Sequence, residues 1–122
     1  MKTLIALIGA YSLILASSQV ILKLGINHLG ALRFKTLGDI FPIVLRSLQS
    51  FPIMLGVSLM AVSFLVWFYI LSLFKLSVAF PLSSMTFVVT VFMAGICLGE
   101  PITVYNVIGT VIICLGIFVL LH

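Results

Sequence analysis

The sequence predicts an all-α membrane protein with four transmembrane helices and a longer link between the first two. Three observations predict it. Apolar residues make up 64% of the 122-residue chain and charged ones 7%, whereas soluble domains are nearer half and a quarter. Too little polar surface remains to coat a globule, so lipid must be the solvent and the backbone must be satisfied within helices or a closed barrel. The apolar runs are unbroken, about 20 residues each, and lack the alternation of barrel strands. Residues 1–122 read as one domain, too thin to enclose a cavity alone.

The first span covers residues 3–26. Its start, "MKTLIALIGAYSLILASSQ", mimics a secretory leader, but Ile14 or Leu15 occupies the upstream position of the cleavage pattern and the apolar run continues through "VILKLGI". It therefore reads as a span. Gly9, Ser12, Ala16, Gln19 and Lys23 recur at spacings of three and four, one face that runs from small to polar.

The link that follows carries Arg33, Lys35, Asp39 and Arg46. Thr36 and Asp39 have capping-box spacing, and Leu37, Ile40, Phe41, Val44 and Leu48 then fall on one helical face. The pattern suits a short amphipathic helix in the membrane interface, with Pro42 bending or interrupting it. An irregular polar loop is the competing reading.

The second span covers 52–74 and opens with Pro52, where a missing N–H costs nothing. Gly56, Met60, Ser63 and Trp67 share a stripe. Trp67 lies well inside the span, away from the interfacial belt, so Trp67 and Tyr69 read either as an aromatic wall for a sugar or lipid or as ordinary span residues. The third span, 78–98, offers Ser83, Thr86, Thr90, Ala94 and Cys97 on one face. The fourth, 102–121, places Gly109 and Gly116 on one face with Ile113 between them, a contact surface for dimerisation or for packing within the chain. Glu100 beside Pro101 reads as a structural cap of the fourth helix, where the dipole favours negative charge. The links "KLS" and "GEP" are so short that spans two, three and four should be antiparallel neighbours.

Net charge is +4 from only six basic residues. That excludes a nucleic-acid footprint and points to anionic lipid as a partner. Cys97 and Cys114 fall in apolar runs and read as small buried residues. No metal-ligand spacing, nucleophile, acid–base pair or phosphate loop appears, so the chain reads as a non-enzyme without a cofactor. Lys2 and Lys75 stand against Arg33, Lys35 and Arg46, a slight bias towards a cytoplasmic long link. No internal repeat is visible, so an inverted repeat would need a second chain.

Lys23 needs a reason. A lysine at a helix centre costs about 2.5–3.5 kcal/mol, and each Leu or Ile returns about 0.3–0.6. The span has aliphatics to offset it, and Lys23 could snorkel to the headgroups. Gln19 argues for a site, because glutamine is no interfacial anchor and a buried amide needs partners.

Three stretches carry a resemblance: "SSQVILKLGI", "LVWFYILSLFKLSVAFPLSSMTFVVTV" and "LGEPITVYNVIGTVIICLGIFVLL". With them the chain resembles the four-helix members of the drug/metabolite transporter superfamily, EamA-like and small-multidrug-resistance-like proteins. It is most similar to the paired subunits that flip undecaprenyl-phosphate-aminoarabinose, which carry a similar Gln-x-x-x-Lys and a similar Tyr-Pro-hydrophobic-x-Ser turn. Here the turn reads "FPLSS", with Phe80 in the tyrosine position. The drug exporters of this kind use a glutamate in the first helix, and this first helix has no acid.

The resemblance implies a transporter subunit of the inner membrane that flips an anionic lipid-linked sugar such as a polyprenyl-phosphate glycoside. Lys23, Gln19, Ser12, Ser63, Trp67, Ser84 and Thr86 would line the path, with Pro81, Glu100 and Pro101 structural. Its partner would be a second copy or a paralogous four-helix subunit. A small drug or metabolite exporter, or a non-transporting subunit of a glycolipid-synthesis complex, are the alternatives.

Overall fold

The structure, a computed structural model, describes residues 1–30 and 33–122. These residues form six α-helices: α1 (Lys2–Leu29), α2 (Ile40–Gln49), α3 (Phe51–Leu73), α4 (Leu76–Leu82), α5 (Met85–Leu98) and α6 (Val104–Leu121). Among the described residues there is no strand. Among the described residues, four stretches are long and apolar enough to cross a membrane: α1, α3, α4 with α5, and α6. The chain is a multi-pass membrane protein.

The link between α1 and α3 forms the amphipathic helix its pattern predicts. A single 3₁₀ turn, Leu37–Asp39, leads into α2. The Asp39 carboxylate reaches back and accepts from the Thr36 N–H at 3.0 Å and the Lys35 N–H at 3.0 Å, the acidic half of a capping box. Those two N–H groups, Thr36 first, hold the Asp39 carboxyl below the usual carboxylate range. Pro42 neither bends nor interrupts α2 as expected. It is the third residue of the helix, where the backbone N–H has no intrahelical partner to lose.

The third span is interrupted, which its apolar run does not reveal. Pro81 supplies no N–H, and the chain tightens into i→i+3 bonds from Ser83 to the Phe80 carbonyl (3.1 Å) and from Ser84 to the Pro81 carbonyl (3.1 Å). The Ser83 and Ser84 hydroxyls donate to the same two carbonyls at 2.6 Å each. These bonds satisfy backbone oxygens that the break would orphan in lipid.

Packing departs from the expected order of neighbours. α1 packs most extensively against α3 and next against α5, while α3 meets the third span chiefly through α4. A short link fixes only the ends of two helices; here α1 wedges between the spans that the link joins. Missing side chains make the α1–α3 approach close. A Cβ on Gly56 would lie 2.7 Å from Leu22 Cγ, and one on Gly25 would lie 2.6 Å from Ile53 Cγ1. The pairing of 22 with 56 and 25 with 53 makes α1 and α3 antiparallel. Ser12 bonds Thr86, and later residues of α1 meet later residues of α5, so these two run parallel.

A buried cluster, Leu4, Ile8, Ile70, Ala79 and Leu82, lies in the half of the bundle away from the long link, while Ala16, Val20 and Ile53 are buried outside it. α6 buries no residue. Cys97 and Cys114 are exposed on the outer surface, not buried. In lipid that surface is itself apolar, so a small apolar residue gains little by turning inward.

Candidate functional site

α1 carries the polar stripe from the core into an open groove. Ser12 and Ala16 are fully buried, whereas Gln19 and Lys23, one and two turns on, are exposed. Gln19, Val20 and Lys23 line a groove of about 260 Å³ with Thr90, Ala94 and Leu98 of α5 and with Glu100. The groove opens where α1 and α5 both end, on the side of the membrane that carries α2.

A turn of the backbone brings Glu100 to this groove. Gly99 closes α5 in the left-handed region at φ 65°, a conformation that glycine adopts without strain. The next N–H, that of Glu100, bonds back to the Ala94 carbonyl at 3.4 Å. The turn holds Glu100 over the last turn of α5. It does not cap α6 as expected: Thr103 is the N-cap there, its hydroxyl accepting from the Asn106 N–H at 3.3 Å. Pro101 lies in the extended link just before α6.

A second hollow of about 240 Å³ lies between α5 and α6 and shares Thr90, Ala94 and Glu100 with the first, adding Ile102 and Asn106. Each hollow alone is below the roughly 300–1,000 Å³ of typical ligand pockets. Across the shared residues they offer an ammonium, two amides, a hydroxyl and a carboxylate on an otherwise apolar wall.

The remaining expected site residues are placed elsewhere. Ser12 and Thr86 bond each other at 3.1 Å in the α1–α5 contact, at 0% and 9% exposure. Ser63 is buried and donates to the Met60 carbonyl at 2.7 Å. Ser84 spends its proton on the Pro81 carbonyl. Trp67 does not form a wall with Tyr69, which sits 55% exposed; two residues apart on a helix is nearly opposite faces. It packs instead on Tyr11 at 5.2 Å between ring centroids and edge-on to Phe80 at 6.3 Å. Tyr11, Phe80, Pro81 and Ser84 border a third hollow of about 330 Å³.

Gly109 and Gly116 meet nothing within 4 Å of a built Cβ. Gly116 with Ile113 nevertheless faces Pro81 and Ser84 across a hollow of about 370 Å³, so at Gly116 this face turns towards α4 without touching it.

Two site residues escape sequence reasoning. Glu100 reads as a cap, although a glycine just before it is a signal that the chain turns back at that point. Tyr11 gives no signal, being one aromatic among apolar residues.

Compared with known proteins, the chain matches the model of the EamA-like transporter family over residues 3–122. Neither a curated protein nor a solved structure matches it.

Proposed function

Because the chain belongs to the EamA-like transporter family, within the drug/metabolite transporter superfamily, it acts in membrane transport, and we propose that its cargo is an anionic lipid-linked sugar flipped across the inner membrane. The observation that carries this reading is the groove in which Gln19 and Lys23 stand together with Thr90 and Glu100. Lys23 takes the phosphate as a charge-assisted contact. Gln19 and Thr90 bond the sugar, and Glu100 accepts from a hydroxyl or amine on the same headgroup. The groove is open along its length, so a polyprenyl tail stays in lipid while the headgroup is held. Two chains form the path, a second copy or a paralogue meeting α6 at Gly109 and Gly116, since each of the two hollows that Glu100 borders is small for a headgroup.

Glu100 at the groove favours a second reading, export of a cationic metabolite in exchange for protons. Substitution separates the two. In proteoliposomes, headgroup accessibility of a polyprenyl-phosphate sugar is measured beside proton-driven cation efflux. Loss of a charge-assisted contact of about 1.5–3 kcal/mol predicts roughly ten- to a hundredfold weaker binding in Lys23→Gln. Lys23→Arg retains part of the activity, because charge persists in a planar fork, and Gln19→Leu loses less than Lys23→Gln. Full flipping by Lys23→Gln at matched protein level sinks the proposal. Cation efflux that needs Glu100 but not Lys23 establishes the second reading instead.

A further inference from the structure

We propose that α2 and the basic residues around it form a docking surface for anionic phospholipid headgroups, distinct from the cargo groove. α2 has no buried residue, and it packs chiefly on the adjoining turn and α3. The apolar side of this helix and of the turn before it is open: Leu37 is 87% exposed, Phe41 72% and Leu48 56%. An unpartnered row of this kind needs an occupant.

Position and charge identify that occupant. α1 and α3 both cross the membrane, so the segment between them lies at one membrane face. Ser50, extended at φ −85° and ψ 118°, separates α2 from α3 and keeps α2 from simply lengthening that span. The segment carries three exposed cations, Arg33, Lys35 and Arg46. Arg46 lies two residues from Val44 and Leu48, on the side of α2 away from the apolar row. The chain has two acids in all. One, Asp39, is within the segment and engaged by the Thr36 and Lys35 N–H groups. The other, Glu100, belongs to the groove. An apolar row that enters the acyl boundary, with cations beside it at headgroup level, fits an anionic leaflet. A second copy of this chain fits poorly, because it would bring the same surplus of cations to the contact.

Each Lys or Arg near an anionic surface favours association by about fivefold. Three such residues therefore enrich anionic lipid beside α2 by at least about fivefold, even with most of the product lost to screening.

The test uses the full chain in vesicles of phosphatidylcholine and phosphatidylglycerol in equal parts. A single tryptophan is placed on α2 by Phe41→Trp in a Trp67→Phe background. The acyl chains of one lipid or the other are brominated to quench it. Quenching by both lipids is expected, with brominated phosphatidylglycerol occupying the site about fivefold in excess. Replacing Arg33, Lys35 and Arg46 by Gln should abolish the preference and leave quenching itself in place. Absence of quenching overturns the proposal, because the apolar row would then not be in lipid. Equal quenching by the two lipids overturns it, as does a preference that survives the triple substitution. Quenching that is lost as protein density rises assigns the surface to a second copy and also overturns it. Cargo transport enters none of these readings, so failure here leaves the proposed function standing.

Discussion

Alanine at Gly56 tests whether α1 and α3 are held together by direct backbone approach. The new Cβ would lie 2.7 Å from Leu22 Cγ, 3.0 Å from Cδ2 and 3.1 Å from the Leu22 backbone nitrogen. Ordinary contact begins near 3.4 Å. A rotamer change can move the side-chain atoms of Leu22, but none moves its backbone nitrogen. The helices must therefore part by a few tenths of an ångström, and they are pinned nearby at Gly25, where Ile53 presents its own backbone nitrogen at 3.1 Å. Overpacking of this kind costs about 1–3 kcal/mol, and alanine returns about 0.8–1.0 kcal/mol of helix propensity. The net expectation is about 0–2 kcal/mol of destabilisation. Gly109→Ala is the matched control. Its Cβ meets nothing within 4 Å, so in the monomer it keeps only the propensity gain. Reversible unfolding in dilute mixed micelles should separate the two variants by about 1–3 kcal/mol, with Gly56→Ala the less stable. Equal shifts for both would refute the close-approach argument.

Two further outcomes follow from hydrogen bonds. Ser12→Ala leaves the Thr86 hydroxyl buried without its partner and should cost about 0.5–2 kcal/mol, while the double variant Ser12→Ala/Thr86→Val should recover part of that loss; additive losses in a double-mutant cycle would show that the bond contributes nothing. The Asp39 carboxyl is held low in the fold, so its support of the turn before α2 is complete above the free carboxylate value of about 3.9 and disappears as pH falls through the lower, folded value. The Thr36 amide shift should titrate with a midpoint below that of free aspartate, and a midpoint at or above it would contradict the bond.

The spans and the interfacial helix are legible in the sequence because each rests on local pattern. Four apolar runs set α1, α3, the α4–α5 pair and α6, and Thr36 with Asp39 marks the start of the turn before α2. What is hidden depends on contacts between distant residues. Nothing local says that α1 wedges between two spans joined by the short link at Phe74 and Lys75. The face of α5 at the groove keeps Thr90 and Ala94 of the predicted stripe but ends at Leu98 rather than Cys97, because helical spacing allows either and only the position of α1 selects one. Ser12, Ser63 and Thr86 have the residue types of a lining and the burial of packing. Gln19 and Lys23 are legible as a pair because a charge within a span is costly and stands out from its apolar surroundings. Glu100 is not, since a capping role suits a carboxylate at a helix boundary equally well.

The exposure of α6 has a consequence for how the protein is built. A span in lipid satisfies its own backbone, so α6 is a stable helix before it touches anything else. The spans that form the core, α1, α3 and α4 with α5, are all synthesised ahead of it. They can close on one another while α6 is still leaving the ribosome. α6 is then added to a surface already formed, tethered by the short link after Gly99 and touching chiefly α5 and α4. α6 has no fully buried side chain, and Ile117 and Leu121 are the residues by which it packs, half-buried, against that core.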